Sequence, residues 1–423
     1  MLRHIINLLW SSRRRNLWIM LELIVIAIVS WVIVDPLFVL KYNQSISNGY
    51  EAEGLYRLEL TRNSADTVSV PMDDYRRIIQ NLRNHRDIES ATCVLSGAYP
   101  SSPGNSMNQL FKDTTKVVTT YIPFFSHSGF FQTWRFRSAT DGTWETLENL
   151  NTPAGSVILT EDAAFLLSGG GNLVGQSVYS VRDTTEFPVV GVTQPIKMRN
   201  SMQPYLVRLV SLGNEEQMPD FAFNSSLRIF FRTKANVTEA HFMEEFMLWI
   251  DDNLSSGSLI FSKLAPFWQV QNESDLREGV TNEIQMKYVL AYFFMINLLL
   301  AVCGTFWLHT RTRCEEIGVR LSYGASSAGI CRMLIGEAFV LTTVAVIIGC
   351  FIYLQWAYYD GFYVMKDRVP SNESLYLPNH FIAHFCIVSL IVYVVMLVVT
   401  WLGVYIPART ISKISPVEAL RDE

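Results

Sequence analysis

Four stretches of this chain are too long and too apolar for the interior of a soluble domain. Leu17–Leu40, Tyr288–Leu308, Met333–Trp356 and Phe381–Ile406 carry few charges. Each has the length, about 20 residues, that a helix needs to cross a bilayer. Helices buried in soluble cores are typically about half as long. These runs explain why only 17% of the chain is charged while 49% is hydrophobic; soluble domains carry about 25% charged residues. The first run exceeds the roughly 7–15 apolar residues of a cleaved signal. Asp35-Pro36 and Lys41-Tyr42 stand where a small-residue cleavage site would follow, so a retained anchor is expected.

The basic residues orient the spans. Arg3, Arg13, Arg14 and Arg15 precede the first, and Arg311, Arg313, Arg320 and Arg332 lie between the second and third. Arg409, Lys413 and Arg421 follow the fourth. Lys and Arg collect on the cytoplasmic side, so both termini and the middle segment are expected there. Trp18, Trp31, Trp307, Trp356 and Trp401 sit near span ends, as interfacial aromatics do. The expected order is a cytoplasmic terminus 1–16, a first span 17–40, an extracytoplasmic domain 41–283 and a second span 284–310. A cytoplasmic segment 311–330, a third span 331–356, a short outer loop 357–380, a fourth span 381–406 and a tail 407–423 complete it. The fold class is therefore membrane α-helical, with four transmembrane helices and a mixed α/β extracytoplasmic domain of two lobes. Glu22, Asp35 and Glu337 intrude on the spans. Intramembrane carboxylates are functional candidates, although each lies near a span end, within expected reach of headgroups or water.

In the outer domain, Gly54–Leu60 alternates apolar and polar residues and predicts a strand. Pro71–Arg86 predicts a helix with Tyr75, Ile78, Ile79 and Leu82 on one face. Strands are expected at Ile88–Leu95, Val157–Leu159, Phe187–Val192 and Ser258–Phe261, and a helix at Phe242–Leu254. Thr160 is placed to cap a short helix to Ser168, which Gly169-Gly170-Gly171 stops. From Ser274 to Lys287 a continuous helix is expected to run into the second span.

The domain offers no catalytic constellation. His85, His127 and His241 lack metal spacing, no CxxC pair occurs, and the triple glycine is not followed by Lys-Ser or Lys-Thr. Only Cys93 of the six cysteines lies in this region, so an internal disulfide is excluded. A net charge of -5 does not argue for nucleic acid.

The segment after the second span is the most informative. Ile317 and Leu321 share one side of a short amphipathic helix, with Glu315, Glu316 and Arg320 elsewhere around it. Gly324 breaks it, and Ala325-Ser326 can cap the next. Arg313-x-x-Glu316-Ile317-Gly318-Val319-Arg320 followed by Gly324-Ala325-Ser326 resembles the cytoplasmic signature of MacB/FtsX-type ABC permeases. Pro407-Ala408-Arg409 and then Pro416-Val417-Glu418-Ala419-Leu420 resemble the family's closing tail. Glu337-Ala338 matches the acid-plus-small pair that opens its third span. Gly155–Thr160, Val174–Ser177 and Val190–Val192 resemble its periplasmic core domain. Leu321-Ser322-Tyr323 departs from the usual alanine-leucine-glycine stretch.

The resemblance implies a permease of the bacterial inner membrane with a periplasmic outer domain. It implies two copies of an ATP-binding subunit docked on Arg313–Ser326, and a second permease chain, identical or homologous. A periplasmic adaptor or substrate and membrane lipids complete the partners. With no GxxxxGK[ST] run and sixteen residues before the first span, ATP is expected only through that partner subunit, with no cofactor bound directly and no enzymatic activity of its own. Moving a substrate by mechanotransmission is the leading expectation. A regulator that activates a periplasmic enzyme without moving cargo is the alternative.

Overall fold

The computed structural model describes residues 13–62, 72–95, 97–102, 106–215, 227–254, 259–362 and 372–412. The chain divides into two compact units, one of residues 1–42, 283–367 and 377–423, the other of residues 43–282 and 368–376. The first helix, α1 (Arg13–Ser45), continues through Pro36.

The second unit opens with β1 (Leu55–Arg62), α2 (Met72–Arg83) and β2 (Ile88–Leu95), close to the pattern in the sequence. α2 stops at Arg83 rather than Arg86, and Pro71 lies outside the described residues. Next come β3 (Met107–Lys112), β4 (Thr115–Ser126), and the short helices α3 (Phe130–Trp134) and α4 (Glu145–Glu148). They are followed by β5 (Val157–Thr160), α5 (Glu161–Ser168), β6 (Ser177–Ser180), β7 (Glu186–Thr193) and β8 (Val207–Asn214). β9 (Leu227–Thr233), α6 (Glu239–Asn253), β10 (Leu259–Pro266) and α7 (Phe267–Arg277) complete the unit.

These strands form two lobes. One is an antiparallel sheet in the order β10-β1-β9-β2, and the other a closed barrel in the order β3-β4-β8-β5-β7-β6. The apolar faces of α2 (Ile78, Ile79, Leu82) and α6 (Phe242, Phe246, Ile250) share a core with Tyr56, Leu58 and Phe231 of the sheet. A second core is mostly aromatic. Phe124 of the barrel, Phe230 of the sheet, Trp134 of α3 and Phe267 of α7 are buried in it together, with Trp134 and Phe136 stacked at 5.7 Å. With no disulfide available, aromatic burial of this kind, about 150–250 Å² per ring, supplies much of the stability.

Two local expectations are corrected. Thr160 is the residue before α5 but makes no side-chain cap. Its hydroxyl instead accepts from the Val207 N–H at 3.1 Å across the sheet. The helix expected from Ser274 to Lys287 is broken: α7 ends at Arg277, Gly279 adopts a left-handed φ of 76°, and α8 (Val280–Arg311) begins afresh. Glycine takes that conformation without steric cost, so the residue that allows the break is Gly279 itself.

Lys197 is buried, and among the described residues no carboxylate pairs with it. Its Nζ donates to the carbonyls of Asn43 at 2.8 Å and Ile46 at 3.2 Å, where the α1 helix runs out. Cations are favoured at helix C-termini, where the last carbonyls lack partners. Asn43 in turn donates to the Ser201 carbonyl at 3.1 Å, and Gly49 passes so close to the Pro195 carbonyl that a Cβ would sit 2.1 Å from it. The loop from Pro195 to Ser201 thus holds the chain where it leaves α1.

The first unit continues with α8, α9 (Cys314–Ser322), α10 (Ser327–Asp360) and α11 (Phe381–Ile411). Among the described residues four helices are long and apolar enough to cross a membrane: α1, α8, α10 and α11. α11 runs past the expected end at Ile406, through a buried Pro407; spanning helices tolerate proline when neighbours re-satisfy the backbone. Small residues set the closest approaches. A Cβ on Gly349 of α10 would lie 2.9 Å from Ala27 Cβ of α1, and one on Gly403 of α11 would lie 2.9 Å from Val302 of α8. Close backbone contact of this kind drives association of helices in lipid, where burial from water does not.

Gly349→Leu is expected to destabilise the detergent-solubilised protein by about 1–3 kcal/mol, the usual cost of overpacking. Gly304→Leu, at a site with nothing within 4 Å, serves as the control, and equal melting temperatures for the two would contradict the contact. Burial lowers the Lys197 pKa to about 8 from an ordinary 10.5. The unfolded chain therefore binds more protons between those values, and stability rises with pH through that window. Denaturant titration of wild type against Lys197→Met should show wild type gaining on the variant from pH 8 to 10.5; a constant difference contradicts the buried ammonium.

Candidate functional site

The α8 helix ends at Arg311, and two residues later Arg313 takes the position before the first turn of α9. α9 is amphipathic for the reason visible in its sequence. Ile317 is buried in the core of the spanning helices, and Leu321 packs against that core from one turn further on. Gly318 is buried beside them. The other face is open. Glu315 is exposed, Val319 is 43% exposed and Tyr323 is 89% exposed.

Arg313 pins this helix from behind. Only 4% of it is exposed. Its guanidinium donates from Nε to Glu316 Oε2 at 2.9 Å, from Nη2 to Glu316 Oε1 at 3.3 Å, and from Nη1 to Glu337 Oε2 on α10. Arg320 donates to the same Glu316 at 2.9 Å and to Met333 Sδ on α10 at 3.1 Å. Glu316 thus lies between two arginines. Burial alone would raise its pKa, but the hydrogen bonds and charge of Arg313, with Arg320 behind, hold it below the ordinary value. A planar guanidinium serves two carboxylates at once because its donors form a rigid fork.

After α9 the chain turns at Gly324, whose φ is 88°. The Gly324 N–H donates to the Leu321 carbonyl and the Ala325 N–H to the Arg320 carbonyl. Ser326 then caps α10, its Oγ accepting from the Gly329 N–H at 3.2 Å, as the Gly-Ala-Ser spacing predicts. Ser327 donates to Ser412 at the end of α11. Pro407 and Ala408 are buried, and Arg409 lies over the Tyr405 ring at 6.0 Å. Pro416, Val417, Glu418, Ala419 and Leu420 lie outside the described residues.

The structure therefore brings Arg313, Glu316, Arg320 and Glu337 together, while Glu315, Gly324 and Ala325 face outward. The expectation that the span acids reach headgroups or water is corrected for two of them. Glu337 is 3% exposed and Asp35 2%. Among the described residues Glu337 Oε1 has no hydrogen-bond partner, and Arg313 is the cation that faces this carboxylate. The partnership joins residues 24 apart in sequence on separate helices. Its sequence signal was an arginine just before one helix and an acid inside the next. Met333 and Ser412 carried no signal of their own.

Residues 288–416 match the FtsX-like permease C-terminal family. A stretch of 117 residues, 26% of this chain, is 34% identical to the macrolide export ATP-binding/permease protein MacB of Rhodopirellula baltica, and it spans 14% of that protein's length. Two solved structures are similar to it. The periplasmic region of MacB from Actinobacillus actinomycetemcomitans is 11% identical, covering 53% of this chain and 94% of that one at a TM-score of 0.33. The extracellular domain of the noncanonic ABC-type transporter YknZ from Gram-positive bacteria is 12% identical, covering 49% and 100% at a TM-score of 0.31.

Arg313→Met strands Glu337 in apolar surroundings and is expected to cost about 3–5 kcal/mol, the range for breaking a buried pair from one side. Glu337→Gln should cost clearly less, because Arg313 keeps Glu316. Thermal unfolding in detergent compares the two, and the reverse order contradicts this assignment.

Proposed function

With residues 288–416 an FtsX-like permease domain, we propose that this chain is the membrane-spanning subunit of a MacB/FtsX-type ABC transporter. It takes the stroke of a separate ATP-binding subunit on α9 and passes it to its outer domain, which acts on substrate beyond the bilayer. One observation carries this reading. α9 is fixed to the spanning helices by Ile317 and the Arg313–Glu337 pair, yet it leaves Val319 and Tyr323 exposed. A helix anchored on one face, with exposed apolar side chains on the other, is suited to receive a partner and transmit a displacement, since packed helices move as stiff units. The arginines around the site support a cytoplasmic position for it, where ATP is available. The outer domain then lies on the far side with both termini within.

Co-purification in mild detergent tests the partnership: an ATP-binding protein should accompany the chain, and its absence from preparations that retain the fold sinks the reading. Within such a complex, Tyr323→Asp should leave insertion intact. It should weaken subunit association at least tenfold, which corresponds to about 1.4 kcal/mol. Gly324→Pro, which cannot adopt a φ of 88°, and Glu316→Arg, which places three arginines together, should lower coupled ATP hydrolysis by a similar factor. Full coupling in all three variants would rule out α9 as the docking element.

A further inference from the structure

The two helices that cover the four-stranded sheet leave a cleft between them at one end. Asn81, Asn84 and His85 lie where α2 runs out, and the His85 N–H still donates to the Leu82 carbonyl, so the turn continues. Glu245, Trp249 and Asn253 follow at intervals of four along α6. Residues three and four apart share one face of a helix. With Arg86 these residues line a cleft of about 520 Å³, within the roughly 300–1,000 Å³ of small-molecule sites.

The walls of the cleft are fixed. Asn81 Nδ2 donates to the Asn253 carbonyl at 2.8 Å, joining the helices, and Asn253 Nδ2 donates to the Trp249 carbonyl at 2.9 Å. The Trp249 ring stacks on Phe246 at 5.2 Å and stands at 78° to His85, 4.8 Å away. Arg86 and Glu245 pair with each other, so the cation and the anion of the lining are already matched.

The polar atoms left over are of both kinds. His85 Nδ1 accepts from the Asp87 N–H at 3.2 Å. Burial lowers the pKa of this ring, so at pH 7 it is neutral with its hydrogen on Nε2. Among the described residues that Nε2–H, the Trp249 Nε1–H and the Asn84 amide N–H groups meet no acceptor, and Asn81 Oδ1 and Asn253 Oδ1 meet no donor. An anion calls for donors alone, and a cation for acceptors alone. A hydroxyl donates one hydrogen bond and accepts two, so a ring bearing several hydroxyls matches a mixed and neutral lining. The C–H faces of such a ring are apolar, and the Trp249 indole is the largest apolar surface among the lining residues.

We propose that this cleft binds a pyranose unit of a neutral saccharide, with Asn81, Asn84, His85 and Asn253 on its hydroxyls and Trp249 against its ring. Such a site lies wholly within the α/β unit and is independent of any ATP-binding subunit at α9.

Saturation-transfer NMR on the full chain in lipid nanodiscs, prepared without glycoside detergent, tests the site. The probes are cellobiose, diacetylchitobiose and longer oligomers of each, with galacturonate as a charged sugar and empty nanodiscs as the blank. At least one neutral sugar is expected to bind with a Kd of about 1 mM or tighter, and galacturonate more weakly. Equal affinity for disaccharide and oligomer identifies the ligand as a free sugar, and tighter binding of the oligomer as a glycan chain. Asn84→Leu, at an exposed residue beyond the end of α2, should weaken binding about tenfold, the loss of about 1.4 kcal/mol. Trp249→Phe, which keeps an aromatic ring and loses the N–H, should weaken it by a smaller factor. No transfer above the blank from any neutral sugar overturns the proposal. So does a preference for galacturonate, or an unchanged affinity in Asn84→Leu.

Discussion

A carboxylate inside a stack of apolar helices must be neutralised where it stands, and in this protein that requirement determines which helices are tied together. Glu22 of α1 accepts from Thr305 of α8 at 2.9 Å. Asp35 of α1 meets His384 of α11. Glu337 of α10 meets Arg313 at the start of α9. Three acids thus make three different connections between elements, each across a long sequence separation. Lipid gives helices little reason to associate through apolar contact alone. The ties include these polar contacts, the hydroxyl pairs Thr342–Thr400 and Thr343–Tyr393 between α10 and α11, and the close glycine contacts at Gly349 and Gly403. Losing one partner of a buried pair costs more than the pair contributes, so each tie constrains register more than it adds stability.

The α/β unit meets a different constraint, because it has one cysteine and no disulfide to brace it. Its answer is aromatic mass between two small lobes, together with buried cations matched to main-chain carbonyls. Arg232 shows the same device as Lys197. It donates from Nε to the Thr133 carbonyl at 2.8 Å and from Nη1 to the Glu53 carbonyl at 2.6 Å. Each joins a helix end, at Asn43 or Thr133, to a connecting segment, at Ile46 or Glu53. Backbone groups in such segments must be satisfied somewhere, and a long cationic side chain reaches several at once.

The spans were legible because length and apolarity suffice to define them. The strands β1, β2, β5 and β7 were legible because they alternate or form short apolar runs between turn residues. β4 and β8 were not. They pair in parallel at a separation of some 90 residues, from Thr120 opposite Val207 to Ser126 opposite Asn214, and the second half of β4 is buried on both faces, which erases the period of two. The break at Gly279 was visible as a glycine, but whether a lone glycine interrupts a helix depends on what packs beside it, and here nothing does. The candidate site was readable through Arg313, Glu316 and Gly324, since their spacing carries a local shape. Its depth was not. That Glu337 is sealed rather than wet depends on α9 lying over it, and His384 gains meaning only when α11 brings it to Asp35.

The contact between Arg313 and Glu337 differs in kind from that between His384 and Asp35. Arg313 keeps its proton at any physiological pH, so the cation that fastens α9 to α10 is permanent. Under the proposed function such constancy suits a docking element, because it keeps the same Val319–Tyr323 face on offer in every cycle.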